Sequence, residues 1–161
     1  MEKIISRGLL AFYLVILTWL VLFKLQYNIF SVFHYHYTSL NLIPFAAPGS
    51  TREMVDNILI FIPFGLLLDV NFKKVGFSPK VALILALSLT FEFIQLIFAI
   101  GATDITDVIT NTVGGLLGLE LYGVCNRFMN NKKLDWVILL LGIFLLVLLV
   151  YYRSHLVIKY S

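Results

Sequence analysis

Five runs of mostly apolar residues, each long enough to approach the about 20 residues that a helix needs to cross a bilayer core, leave this chain few ways to fold. The runs are continuous and lack period-two alternation, so the spans are helices rather than barrel strands. With 60% hydrophobic residues, 13% charged residues and a mean hydropathy of +0.95 over 161 residues, a soluble domain is excluded. The expected fold is all-α: a polytopic helical membrane protein of about five transmembrane helices, forming a single membrane domain over residues 1–161.

The first run, about Ile4 to Phe23, has a basic start at Lys3 and Arg7, then apolar Gly8 to Phe23, and is trailed by Lys24, Leu25, Gln26 and Tyr27. No small-residue cleavage site follows it, so it reads as an uncleaved signal anchor. The second, Glu53 to Val70, carries Asp56 and Asn57 in its outer turn. Pro63, followed by Phe64 and Gly65, predicts a kink. Its clean apolar part, Ile58 to Leu68, is short, so a re-entrant hairpin is the rival reading. The third run is Pro79 to Ile100, with proline suited to a helix start. The fourth spans Asp104 to Val124, with Thr103 or Asp104 as cap and Asp107 in a first turn that favours an acid. The fifth is Trp136 to Tyr152, flanked by interfacial aromatics. Between the first two runs, Leu25 to Thr51 has no formal charge but many aromatics, together with His34 and His36, and reads as a loop at the headgroups. Gly101 to Thr103 is expected to be a tight turn that folds the third and fourth spans into an antiparallel hairpin.

Basic residues set the orientation. With the N-terminus inside, eight (Lys3, Arg7, Lys73, Lys74, Lys80, Arg127, Lys132, Lys133) lie in the cytoplasm and four (Lys24, Arg52, Arg153, Lys159) outside. The positive-inside rule therefore predicts N-terminus inside and C-terminus outside. The net charge of +3 is accounted for by this distribution and points to no nucleic-acid partner. Cys125 is the sole cysteine, which rules out an internal disulfide and fits a packing residue.

In this orientation the polar residues inside the apolar runs all fall in the outer half. Ser88, Glu92, Gln95 and Ala99 follow helical spacing on one face, as do Asp107, Asn111, Gly114 and Gly118 on another. Gln95 and Asn111 are expected at similar depth, with Glu92 slightly deeper. The glycines form a small-xxx-small pair that lets two backbones approach closely. Interhelical amides and acids often serve only as glue, worth about 0.6 kcal/mol on average. Gln95 and Asn111 fit that role, whereas three acids (Glu92, Asp104, Asp107) exceed what glue requires. Arg52 and Asp56 stand four apart as a weak surface pair, and Arg52 is also placed to neutralise Glu92 or Asp107, or to fork onto a phosphate. The candidate ligand-binding set is Arg52, Asn57, Glu92, Gln95, Asp104, Asp107 and Asn111. No metal motif of known spacing is present.

The order Asn41-Leu42-Ile43-Pro44-Phe45, then Asn57 with Phe61-Ile62-Pro63-Phe64-Gly65, then Glu92-Phe93-Ile94-Gln95, then Asp104-Ile105-Thr106-Asp107-Val108 with Asn111-Thr112 and Gly114-Gly115, resembles the VanZ-like family. The resemblance covers about residues 10–125 and leaves the fifth span, about 136–152, outside the core pattern. Asn41, Pro44, Phe45, Pro63, Gly65, Gly114 and Gly118 are expected to have structural roles. One departure stands out. Many members carry an arginine shortly before the first aspartate of the Asp-x-x-Asp pair, where this chain has Gly101-Ala102-Thr103. The resemblance implies a bacterial plasma-membrane protein, and a contribution to low-level resistance to teicoplanin, a lipid-tailed glycopeptide.

Two functions from different classes fit. One is a non-enzymatic factor at the outer leaflet whose acid and amide pocket engages membrane lipids, a lipid-linked envelope component or the lipoglycopeptide itself, with no cofactor. The other is a membrane enzyme acting on a lipid or lipid-linked envelope precursor. There Glu92 and Asp107 would be the paired catalytic carboxylates, and Mg²⁺ would bridge them to a phosphate. The clustering of acids in one leaflet disfavours transport. Neither oligomeric state nor ligand identity is encoded legibly.

Overall fold

The computed structural model describes residues 2–23, 37–46 and 51–160. Among these are five helices: α1 (Glu2–Phe23), α2 (Thr51–Asn71), α3 (Phe77–Phe98), α4 (Ile105–Phe128) and α5 (Asn131–Tyr160). Two short strands, β1 (Tyr37–Asn41) and β2 (Ile100–Asp104), precede α2 and α4 respectively. Each apolar run thus becomes a helix, and the chain is a helical membrane protein. Among the described residues three helices are long and apolar enough to cross a membrane: Lys3–Phe23, Phe77–Phe98 and Ile105–Phe128. The expected headgroup loop lies partly outside the described residues, and His34 and His36 fall there.

α2 is one continuous helix of 21 residues through Pro63, not a re-entrant hairpin. At a rise of 1.5 Å per residue it reaches about 31 Å. Proline leaves the helix ladder one donor short. Beside it the Tyr13 hydroxyl of α1 donates to the Ile60 carbonyl at 2.5 Å. The carbonyl that loses its donor to Pro63 is that of Leu59, and the Tyr13 hydroxyl bonds the next carbonyl in the same turn.

Contacts along the helices fix their directions. Tyr13 meets Ile60 while Asn71 meets the Ser6 carbonyl, so α1 and α2 run oppositely. Asn111 meets Ser88, and Gly115 lies on Ile84, so α3 and α4 run oppositely too. Gly114 lies on Ile58 and Gly118 on Ile62, so α2 and α4 run parallel.

That parallel seam is the most extensive helix contact in the molecule, and glycine makes it possible. A Cβ on Gly114 would collide with the Ile58 carbonyl, one on Gly118 with the Ile62 carbonyl, and one on Gly65 with the Gly115 carbonyl. All three obstacles are backbone atoms. The small-residue face therefore serves α2, whereas the expectation of a hairpin made α3 the main partner of α4. Gly115 turns the other way and lies against the Ile84 side chain of α3.

The expected turn at Gly101–Thr103 is instead part of β2, which pairs in parallel with β1 in the register Tyr37 to Ile100 and Asn41 to Asp104. α3 ends at Ala99, whose left-handed φ of 52° lets its N–H close onto the Gln95 carbonyl. The chain then runs back along α3 in extended form, so Asp104 meets Glu92, twelve residues earlier. α4 consequently starts deeper than a tight turn would place it. This is why Asn111 faces Ser88 rather than Gln95.

The core gathers Leu9 and Leu17 from α1, Phe61, Phe64 and Leu68 from α2, Ile84 and Phe91 from α3, Leu119 from α4 and Leu139 from α5. Phe61 and Phe64 meet edge to face, with ring centroids 6.1 Å apart and planes at 88°.

Candidate functional site

At the end of the bundle where α1 finishes and α2 and α4 begin, a cavity of about 630 Å³ opens. Leu20 and Val21 of α1 and Leu59 and Ile60 of α2 form its apolar wall. Arg52, Glu53, Asp56 and Asn57 from the first turns of α2, and Asp107 from the first turn of α4, supply the polar rim. The carboxylates reach this spot because two parallel helices, welded along the glycine seam, start side by side. Acids at a helix start also suit the positive end of its dipole.

Asn57 spans the two helices. Its Nδ2 donates to Asp107 Oδ1 at 2.8 Å and lies 3.5 Å from Thr110 Oγ1. Arg52 Nε stands 3.8 Å from Asp56 Oδ2, with the two side chains 93% and 61% exposed. Such a pair holds little energy, so the guanidinium is at liberty to turn towards an incoming group. One base among three acids gives the rim a net negative charge.

The other sequence-predicted residues sit behind this cavity, in a buried polar cluster that ties β2 and α4 to α3. Glu92 Oε2 accepts from the Asp104 N–H at 2.9 Å, and Thr103 Oγ1 donates to the Glu92 carbonyl at 3.3 Å. Gln95 Nε2 donates to the Val21 carbonyl of α1 at 3.3 Å, and Asn111 Nδ2 to Ser88 Oγ at 2.9 Å. Glu92, Gln95, Ser88 and Asn111 are all buried. Ala99, placed on the same face by spacing, lies just past the end of α3.

Asp104 caps α4: its Oδ1 accepts from the Thr106 N–H at 2.8 Å while its Oδ2 accepts from Asn41 Nδ2 at 3.0 Å. Burial pushes this carboxyl up, but the hydrogen bonds from Thr106 and Asn41 outweigh it, and the group stays below its usual range. Asn41 also accepts the Ile43 N–H at 3.2 Å, and the Phe45 N–H donates to Thr106 Oγ1 at 3.0 Å. Phe45 adopts a φ of 60°, a conformation that ordinarily suits glycine. It sits after Pro44 in a turn closed from the Ala46 N–H to the Ile43 carbonyl at 3.4 Å. The Asn41–Phe45 motif thus fastens the segment after β1 onto the start of α4.

Arg52, Asn57 and Asp107 line the cavity, whereas Glu92, Gln95, Asp104 and Asn111 do not. Asp107 accepts a hydrogen bond from Asn57, and Glu92 accepts one from the Asp104 N–H. Among the described residues no three histidine, cysteine or acidic side chains converge as a metal-binding group. Sequence reasoning did not assign Glu53 to the rim, nor Leu20, Val21, Leu59 and Ile60 to the wall. Glu53 only marked the start of the second run, and the apolar four carry no signal that separates a cavity wall from a lipid-facing surface.

Comparison with known proteins gives the family. The VanZ/LLP1 family pattern is matched by residues 10–126, from within α1 to the last turn of α4. A protein from Enterococcus faecium named Protein VanZ is 72% identical over 160 residues, covering 99% of each chain. No solved structure matches. The matched stretch contains the glycine seam, the buried polar cluster and the whole cavity rim, and the chain belongs to the VanZ/LLP1 family.

Proposed function

We propose that this protein is a non-enzymatic, multi-pass factor of the bacterial plasma membrane that contributes to low-level resistance to teicoplanin-type lipoglycopeptides, acting at the outer leaflet through the Arg52–Asp107 cavity. The observation that carries the reading is the composition of that cavity: one base and three acids around an apolar wall, at one end of the bundle. The acids suit a protonated amine and sugar hydroxyls, the arginine a carboxylate or phosphate, and the wall an acyl chain. A lipid-tailed glycopeptide or a lipid-linked envelope component combines these features. The distribution of basic residues supports an outward-facing position for this end, with the N-terminus in the cytoplasm.

The enzymatic alternative is weaker. Its paired acids would be Glu92 and Asp107, yet Glu92 holds the backbone N–H of Asp104 and Asp107 holds Asn57. One oxygen of each carboxylate is thus engaged in tying neighbouring elements together.

The test pairs two variants in a susceptible host. Asp107→Asn combined with Arg52→Gln is expected to abolish the resistance increment while the protein stays in the membrane, and to end retention of labelled lipoglycopeptide by purified protein in nanodiscs. Full resistance in that variant overturns the binding reading. Glu92→Gln keeps shape and hydrogen bonding but loses charge, so it is expected to retain resistance; complete loss with normal folding favours catalysis. Orientation is checked on a Cys125→Ser background. A cysteine introduced at position 56 is expected to react with an impermeant label added to whole cells, and one at position 74 is not.

A further inference from the structure

A second cavity, of about 580 Å³, lies at the opposite end of the bundle, and its charge is reversed. Three separate elements converge there: the first turns of α1 bring Lys3 and Arg7, the connection between α2 and α3 brings Lys73 and Lys74, and the first turn of α5 brings Lys132. Among the described residues Asp135 is the one acid on the rim, and it is already committed. It pairs with the Lys73 ammonium and accepts the Tyr122 hydroxyl at 2.8 Å. Among the described residues, no ion pair joins Lys3, Arg7, Lys74 or Lys132 to an acid. Elsewhere near this end, Lys80 is 6% exposed and is neutralised by Asp69. The chain therefore pairs one basic side chain deep in the bundle and leaves four around open space.

Topology explains why cations collect at this end, since basic residues favour the cytoplasmic side. It does not explain why they surround a cavity. The floor adds two further observations. Val70 and Leu139 are buried there, giving an apolar base beneath a ring of charge. Asn71 lines the same cavity, and its Nδ2 donates to the Ser6 and Leu67 carbonyls at 3.2 and 2.8 Å, which fixes the orientation of the amide. Its Oδ1 is buried with no hydrogen-bond partner. A buried acceptor left without a donor is costly, and a donor entering from the cavity would complete it.

We infer that this basic cavity binds a phosphate ester that also bears a hydroxyl: the phosphate sits among Arg7, Lys74, Lys3 and Lys132, and the hydroxyl turns to Asn71. The head group of phosphatidylglycerol has that chemistry, as does free glycerol phosphate. The inference is independent of the proposed function, because no residue is shared between the two cavities.

The experiment offers purified full-length protein an equimolar mixture of phosphatidylglycerol and phosphatidylcholine in detergent and weighs the retained lipid by native mass spectrometry. Phosphatidylglycerol is expected to be retained in preference, and Arg7→Gln combined with Lys74→Gln to lower its retention about tenfold or more, since two of the four cations around the phosphate are lost. Both side chains are exposed, so the melting temperature is expected to hold. Arg127→Gln combined with Lys133→Gln removes the same charge from the same end without touching the cavity, and is expected to retain the lipid. A second arm adds glycerol phosphate to lipid-free protein. Protection from unfolding there, without preference among lipids, assigns the site to a soluble ligand. Equal retention of both lipids together with no protection by glycerol phosphate overturns the proposal. So does an equal loss of retention in the pocket variant and the charge control.

Discussion

Two regions hold α4 in place, and they do so by different physics. Along α2 it is held by shape: Gly114, Gly118 and Gly65 bring backbones together with backbone atoms as the only obstacles. Along α3 it is held by a mixture of hydrogen bonds and side-chain packing, with Asn111 on Ser88, Asp104 on Glu92 and Gly115 on Ile84. A contact between backbones cannot relax around an added atom, whereas a side chain can turn and a hydrogen bond can find another partner. The first region should therefore tolerate almost nothing and the second a good deal.

The largest expected effect is in the seam. Gly118→Leu should leave no monodisperse folded species by size-exclusion chromatography, and Gly118→Ala should cost about 3 kcal/mol or more, at or above the top of the usual overpacking range. Gly115→Ala meets only Ile84 side-chain atoms and should cost about 1–2 kcal/mol. A reversal of that order in thermal unfolding would break the distinction. Next comes Glu92→Leu, which strips the Asp104 N–H of its acceptor and should cost about 1–3 kcal/mol. Smaller again is the coupling between Ser88 and Asn111, expected near 0.6 kcal/mol in a double-mutant cycle through Ser88→Ala and Asn111→Ala. Gly123→Ala is expected to cost nothing, because nothing lies within 4 Å of the added Cβ. It should leave stability unchanged or raise it by no more than about 1 kcal/mol through helix propensity.

A pH series sharpens the same contrast. The Asp104 carboxyl titrates lower when folded than when unfolded, so its contribution to stability is in place above the ordinary carboxylate range and is lost as pH falls through the folded value. Melting temperature should thus drop on acidification, and Asp104→Asn should flatten that part of the curve. The seam contains no titrating group and should be indifferent.

What the sequence disclosed follows from how local each signal is. Helix positions were legible because each apolar run is contiguous, and the face shared by Ser88, Glu92 and Gln95 was legible because three to four residues return a helix to the same side. The glycine pair advertised a close approach but not its partner, since spacing within one helix carries no information about the neighbour. β1 and β2 were not legible at all. Five residues apiece give a weak pattern, and parallel pairing depends on a partner far along the chain. The division between Asn57 and Asp107 at the cavity and Glu92 and Asn111 behind it depended on β2 retreating along α3, which the same blind spot concealed. The basic cavity escaped notice for a different reason: topology already accounted for every lysine and arginine in it.

The pairing of β1 with β2 has a consequence for how the molecule is made. Asn41 leaves the ribosome 63 residues ahead of Asp104. During that interval α2 and α3 are made, while the edge of the early strand still lacks its partner. Asp107 arrives later still, so the rim closes only after the nascent chain has delivered its fourth helix. Assembly of the site is thereby coupled to completion of insertion, and a chain stalled before Ile100 would display an unfinished surface to cellular quality control.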